Sequence, residues 1–201
     1  MIGKEFKNQV VIITGASSGI GRACAIEFSQ RCAKIVLASR NEIRLNEVRE
    51  EIINNGGEAF VVPTDVRKIS DCENLIKSTL DHFGKIDILI NNAGISMRAS
   101  FEELELSVMK EVMDTNFFGP VYCTKFALPH LLKQKGLIIG MSSITGLTPF
   151  PGRTAYVASK HALDGFLNTI RIENMKKGLR VLLVHPGFTR SNIRNLALNS
   201  F

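Results

Sequence analysis

The sequence predicts a doubly wound α/β fold, a parallel sheet of at least six strands with helices on both faces. Three observations carry that prediction. Short β-branched runs alternate with amphipathic stretches along the whole chain. The runs are unbroken apolar stretches, as in strands buried on both faces, rather than alternating ones. The first run also passes through a glycine-rich turn straight into a helical stretch.

Each element follows in order. VVIIT, Val10 to Thr14, is an apolar run bounded by turn residues and reads as the first strand. GASSGIG leads into a helical stretch from about Ile20 to Arg31. KIVLAS, Lys34 to Ser39, is the second strand, and Glu42 to Asn55 a charged helix that the Asn54-Asn55-Gly56-Gly57 signal ends. Glu58 to Pro63 is the third strand, and Ser70 to Phe83 a helix stopped by Gly84. Ile86 to Asn91 makes the fourth strand, followed by one long helix from about Ser107 to Leu132. Leu137 to Ser142 is the fifth strand, Thr154 to Lys177 the next helix, and Leu179 to His185 the sixth strand. Parallel strands joined by helical crossovers wind right-handedly. No linker or solenoid-length repeat interrupts the pattern, so the 201 residues read as one domain.

Composition narrows the classes. With 45% hydrophobic residues, a chain of this length buries roughly 70% of its unfolded surface and needs no metal or disulfide staple. No run of 18 apolar residues occurs, which excludes a membrane span. MIGKEFKNQ is charged and lacks an apolar core, so no signal peptide is visible and a cytoplasmic location is expected. Cys24, Cys32, Cys72 and Cys123 form no CxxC pair and no disulfide framework, which predicts buried reduced thiols. The four histidines are scattered without ligand spacing, so no metal site is expected. The net charge of +6 is dispersed along the chain, and there is no tryptophan. A base-stacking nucleic-acid platform is therefore disfavoured against a small anionic ligand.

Ligands of such sheets sit at the carboxyl ends of the strands, near the switch in strand order. There the first strand ends in Thr14-Gly15-Ala16-Ser17-Ser18-Gly19-Ile20-Gly21. Gly15 permits the tight turn, Gly19 lets backbone approach a pyrophosphate, and Gly21 allows close helix–strand packing. Helix N-terminal amides then face the anion. An NAD site places an acid on the ribose 2′-hydroxyl at the end of the second strand. Ser39-Arg40 stands there instead. Arg40 can pair with a 2′-phosphate, so NADP(H) is favoured and NAD(H) stays possible.

Tyr156 and Lys160 are four apart and share a helix face. An ammonium beside a phenol favours the phenolate and draws its pKa down towards working pH, which suits a general acid for carbonyl reduction or a base for alcohol oxidation. A serine hydroxyl at the end of the fifth strand could stabilise charge on the substrate oxygen, and Ser142 and Ser143 both stand there. Asn116 sits in a long helix where its propensity is poor.

These motifs together resemble the short-chain dehydrogenase/reductase family. In the family's order they are TGASSGIG (14–21), Asp65-Val66, Asn91-Asn92-Ala93-Gly94, Asn116 within DTNFFG, Ser143, Tyr156-Val-Ala-Ser-Lys160 and Pro186-Gly187, covering Val10 to about Ile193. The resemblance implies a Rossmann-type sheet in the order 3-2-1-4-5-6 and an oxidoreductase that interconverts a carbonyl and a secondary alcohol. It makes Tyr156 the general acid/base, Lys160 the group that holds the ribose and tunes the phenol, and Asn116 the holder of a relay water. Its spacing of 13 residues from Tyr156 selects Ser143. Cofactor contacts fall to Gly15, Ser17, Ser18, Gly19, Ile20 and Gly21, with Tyr156 and Lys160. Asp65 and Val66 resemble the adenine-contacting pair, although Asp65 could instead cap a turn. Asn92, Ala93 and Gly94 look like the segment beside the nicotinamide ribose, and Asn91 a sheet-stabilising side chain. Pro186, Gly187 and Thr189 belong to the nicotinamide loop, where Ser191 stands in for the family's usual threonine.

The family also implies a homodimer or homotetramer built on the helices near 107–132 and 154–177, with Phe117, Phe118, Phe126, Phe166 and Leu167 partly interfacial. The chain reaches Phe201 where the family usually continues into a lid and a seventh strand. That predicts a single 1–201 domain without them, with an open pocket and an unpaired sheet edge. Ile95, Met97, Leu147, Phe150 and Phe188 are expected near the pocket and suit a hydrophobic small-molecule carbonyl or alcohol. The competing reading is a non-catalytic cofactor-binding module, against which the intact Asn116–Ser143–Tyr156–Lys160 set argues.

Overall fold

The computed structural model describes residues 5–189 and 197–198. Its centre is a six-stranded parallel sheet in the order β3-β2-β1-β4-β5-β6. The strands are β1 Val10–Thr14, β2 Lys34–Ser39, β3 Glu58–Pro63, β4 Ile88–Asn91, β5 Leu137–Met141 and β6 Arg180–Val184. The helices are α1 Gly19–Gln30, α2 Glu42–Asn54, α3 Ile69–Phe83, α4 Leu106–Met113, α5 Gly119–Gln134 and α6 Thr154–Asn174.

The unbroken apolar runs are explained by the side-chain alternation of a strand covered twice. Val10 and Ile12 point into a core shared with Leu75, Cys123 and Leu163 of α3, α5 and α6. Val11 and Ile13 point into the opposite core, against Ala25 of α1 and Leu45, Val48 and Ile52 of α2. Local signals bound α2 and α3. Asn41 caps α2 by accepting from the Arg44 amide at 3.0 Å, and Gly84 ends α3 at φ +77°.

Several boundaries differ from expectation. The fourth strand starts at Ile88, because the Asp87 carboxylate takes the Val10 amide at 2.8 Å before the ladder with β1 begins. The sixth starts at Arg180, because the Leu179 amide closes the end of α6 on the Asn174 carbonyl. Helix α6 tightens into a 3₁₀ turn at Met175–Lys177. The long helix of 107–132 is interrupted by a π-helical turn at Asp114–Phe118, which separates α4 from α5. The thiols also divide: Cys72 and Cys123 are buried with sulfurs 3.6 Å apart, while Cys24 is half-buried and Cys32 exposed. Among the described residues, no helix is long and apolar enough to cross a membrane.

Candidate active site

Strand order reverses between β1 and β4, and a cleft of about 480 Å³ opens there at the carboxyl ends of the strands. The glycine loop forms its floor. Gly15 and Gly19 hold φ of +66° and +55°, a backbone region that L side chains rarely enter. At Gly21 a Cβ would lie 2.3 Å from the Gly15 carbonyl oxygen and 2.5 Å from Asn92 Nδ2. Asn92 locks this turn from behind, donating from Nδ2 to the carbonyls of Thr14 at 2.9 Å and Gly15 at 3.3 Å. The buried Thr14 hydroxyl donates to the Ile90 carbonyl and accepts from the amides of Asn92 and Ala93 at 3.0 Å each. Ser18 precedes α1 without a side-chain cap, which leaves the first-turn amides for an anion. Ser17, Ser18, Ile20 and Gly94 also line the cleft.

The outer end of the cleft is charged. Ser39, Arg40, Asn41 and Arg44 line it, opposite Asp65, Val66 and Arg67. Asp65 is engaged from two sides: Arg67 Nε reaches its oxygens at 2.9 and 3.1 Å and Nη2 at 2.6 Å. The Arg67 amide donates to the same carboxylate at 3.1 Å, so the turn-capping role left open by the sequence is realised. Arg67, with Arg40 further off, holds the Asp65 carboxyl below its usual range. Val66 packs on the start of α5, where a Cβ on Gly119 would meet its side chain at 2.8 Å.

Ser143, Tyr156 and Lys160 line the inner end, and Asn116 lies buried behind Ile95. Asn116 is fully buried in the π turn. Its Oδ1 accepts from the Ile95 amide at 2.8 Å, and its Nδ2 donates to the Ile95 carbonyl at 2.9 Å and to Ser159 Oγ at 3.1 Å. Ser159 Oγ donates onward to the Tyr156 carbonyl at 2.7 Å. The poor helix propensity of asparagine is thus answered by a wider turn that aims its amide sideways. Asn91 Nδ2 donates to Thr124 Oγ1 at 3.1 Å, tying the end of β4 to α5.

Lys160 is 4% exposed, donates to the Met141 carbonyl at 2.8 Å and stands 5.6 Å from the centroid of the Tyr156 ring. Burial lowers its pKa from 10.5 to about 8, with Asp164 pulling the other way. Tyr156 corrects an expectation. Its phenol is pushed above the ordinary value of 10 by burial, against the opposing pulls of a hydrogen bond with Ser143 and the charge of Arg153. The lysine does not draw it down, because desolvation acts on the charged form of both groups. Ser143 is buried and also accepts from the Thr145 amide at 3.2 Å.

The loop after β6 completes the cleft. Pro186, Gly187, Phe188 and Thr189 line it, and the Pro186 carbonyl accepts from the Ile144 amide at 3.2 Å. Ser191 lies outside the described residues. Of the apolar residues expected at the mouth, Ile95, Phe150 and Phe188 line it. Met97 is instead fully buried in a small core with Val112 and Ala155, and Leu147 points outward at 68% exposure. Sequence reasoning missed Arg44, Arg67, Ser96, Thr145 and Arg153. Only the basic residues carried a signal, as charges next to motif positions.

Fold and cleft define an open α/β protein with its ligand crevice at the topological switch point. A short chain dehydrogenase family model matches residues 9–199, and the chain belongs to that family. It is 41% identical over 187 residues to 11-beta-hydroxysteroid dehydrogenase-like 2 of Arabidopsis thaliana, covering 92% of this chain and 60% of that protein. It is 40% identical to 11-beta-hydroxysteroid dehydrogenase A of Arachis hypogaea, covering 96% of this chain and 56% of that protein. The chain thus spans less than two thirds of these relatives. Among solved structures, it superposes with a TM-score of 0.91 and 28% identity on an alcohol dehydrogenase of Thermococcus sibiricus complexed with 5-hydroxy-NADP, covering 96% and 82% of the two chains. A dehydrogenase/reductase of Sinorhizobium meliloti matches equally well in TM-score at 34% identity, covering 96% and 77%.

Proposed function

We propose that this chain forms the cofactor-binding and proton-transfer core of an NADP(H)-dependent oxidoreductase that interconverts a carbonyl and a secondary alcohol. One observation carries the reading: a half-buried phenol bonded to Ser143, beside the buried Lys160, shares one cleft with an open glycine loop. The fit to a dinucleotide rests on that loop. Its positive-φ turn and the space a Cβ would fill at Gly21 suit a pyrophosphate, and the uncapped start of α1 suits its charge.

When bound, NADP(H) supplies or accepts the hydride. The protein's own residues handle the oxygen and the proton. Tyr156 donates its proton to the developing alkoxide in reduction and takes a proton back in oxidation, and burial, which raises its pKa, keeps the phenol protonated at neutral pH. Ser143 orients the substrate oxygen through its hydroxyl. Lys160 holds the ribose, and Asn116 anchors Ile95 and reaches Tyr156 through Ser159. Arg40 and Arg44 receive the 2′-phosphate.

The mouth, with Ile95, Ile144, Phe150 and Phe188, suits a bulky apolar ketone or alcohol, in keeping with the hydroxysteroid in the plant relatives' names. Pairing of two copies through Phe117, Phe118, Phe126 and Phe166, all partly exposed, belongs to the same proposal, while Leu167 is wholly core.

Replacing Tyr156 tests it. Tyr156→Phe is expected to lower turnover by about 100-fold or more while NADPH binding, followed by nicotinamide fluorescence, stays within about twofold. Reduction at the parent rate would overturn the assignment.

A further inference from the structure

We propose that Arg153 is a positioning residue for Tyr156, fixing the wall of the substrate mouth to the start of α6 and placing a second positive charge beside the phenol. The proposal builds on Tyr156 as the proton-transfer group.

Arg153 immediately precedes α6, three residues before Tyr156. A cation there stands at the positive end of the helix dipole, an unfavourable place for one. A broken local rule of this kind points to a compensating role, and the geometry supplies one. Arg153 Nη1 donates to Ser96 Oγ at 2.5 Å and to the Met97 carbonyl at 2.8 Å. Both anchors are rigid, since Ser96 is 4% exposed and Met97 is fully buried. A parallel backbone bond, from the Ala99 amide to the Gly152 carbonyl at 3.2 Å, ties the same two segments. The segment held this way continues from Ile95, which Asn116 grips at its other side. The wall of the mouth is therefore pinned twice, from the π turn and from the start of α6.

The electrostatics agree. Burial opposes ionisation of the phenol, while Ser143 and Arg153 favour it. Lys160 also stands beside the ring, but its ammonium is turned to the Met141 carbonyl and is balanced from behind by Asp164, which His185 holds at 2.8 Å. The π turn contributes Asn116 and the end of β5 contributes Ser143, neither of which titrates. The other charged side chains lining the cleft, Arg40, Arg44, Asp65 and Arg67, belong to its outer end.

The chain has two tyrosines and no tryptophan, so tyrosine labelled at Cζ yields two NMR signals and Tyr122→Phe assigns them. Arg153→Gln is expected to raise the Tyr156 titration midpoint by roughly half a unit to one unit, and Arg153→Lys to restore most of it. The pH profile of kcat for carbonyl reduction moves with the phenol, and the dissociation constant for NADPH does not. An unchanged midpoint in Arg153→Gln, or the same shift in Arg153→Lys, would overturn the proposal. If Arg153→Gln fails to fold, Arg153→Met is read by the same criterion. The NMR readout needs no turnover: a shifted midpoint in a chain that reduces no carbonyl would sink the proposed function and leave the role of Arg153 standing.

Discussion

At the outer end of the cleft, Asp65 meets Arg67, which is also bound to Glu111, with side chains 14%, 32% and 38% exposed. At the inner end, Lys160 and Asn116 are sealed from water and their partners are mostly backbone carbonyls and neutral hydroxyls. The outer groups keep their charge because opposite charges and solvent surround them. The inner groups lose some of theirs to desolvation: the lysine moves down to about 8 and the tyrosine up. One cleft thus combines a charged, partly solvated region, sensitive to salt, with a desolvated region, sensitive to pH.

The most disruptive way to break this contrast is at the seam. Gly21 lies where β1, the helix start and Asn92 converge, with no room for a Cβ against the Gly15 carbonyl. Gly21→Val is expected to abolish NADPH binding and to lower folding stability by about 3 kcal/mol, at the upper end of overpacking costs. Fluorescence titration and urea unfolding measure the two. Binding at the parent affinity would mean that the loop yields, and that the two ends are less rigidly joined than the bonds of Asn92 imply.

The contrast also explains what could be read beforehand. All six strands and the glycine loop rest on local pattern, namely β-branched runs, turn glycines and caps, while the order of the strands followed from the family resemblance. Tyr156 and Lys160 were identified as types at a spacing, Ser143 and Asn116 through the resemblance, and the fold brings Ser143, Tyr156 and Lys160 to one end of one cleft with Asn116 buried behind Ile95. Their chemistry was not legible, because it depends on burial that no local window contains. Tyr156 next to Lys160 in sequence suggested a lowered phenol pKa, yet the tertiary fold desolvates both. Asn116 looked like a misplaced helix residue until the π turn gave its amide the backbone of Ile95. Met97 looked like a pocket residue and is core, because its neighbour Ser96 turns to Arg153 and carries the loop inward.

Lys160 sharpens the inner side of the comparison. Its folded-state pKa of about 8 lies below the ordinary 10.5, so between these values the unfolded chain binds a proton that the folded chain does not. Stability from this group therefore rises as pH increases from about 8 to 10.5 and is lost as pH falls through 8. The full span is about 3 kcal/mol. Lys160→Met should remove this pH dependence. At pH 7 the variant should be more stable than the parent by about 2 kcal/mol, once the lost bond to Met141 is allowed for, while carbonyl turnover collapses. Urea unfolding of both proteins across that range measures the difference, because titrating groups away from Lys160 cancel. Parallel curves would mean that the ammonium is hydrated in solution.

Arg40 tests the outer side, with the smallest effect. It is exposed, and solvent screening weakens the contact proposed for it with a 2′-phosphate. Arg40→Gln is expected to weaken NADPH about tenfold, or about 1.4 kcal/mol, and to leave NADH unchanged. Raising salt from low to near-molar concentration should erode the parent's preference for NADPH in the same direction, since the contact is between exposed charges. The same salt should leave the Tyr156 midpoint where it was, because its surroundings are buried and little screened. If salt moved the phenol as much as it moved NADPH affinity, the inner end would be wet. The lowered lysine and the raised tyrosine would then need a cause other than burial.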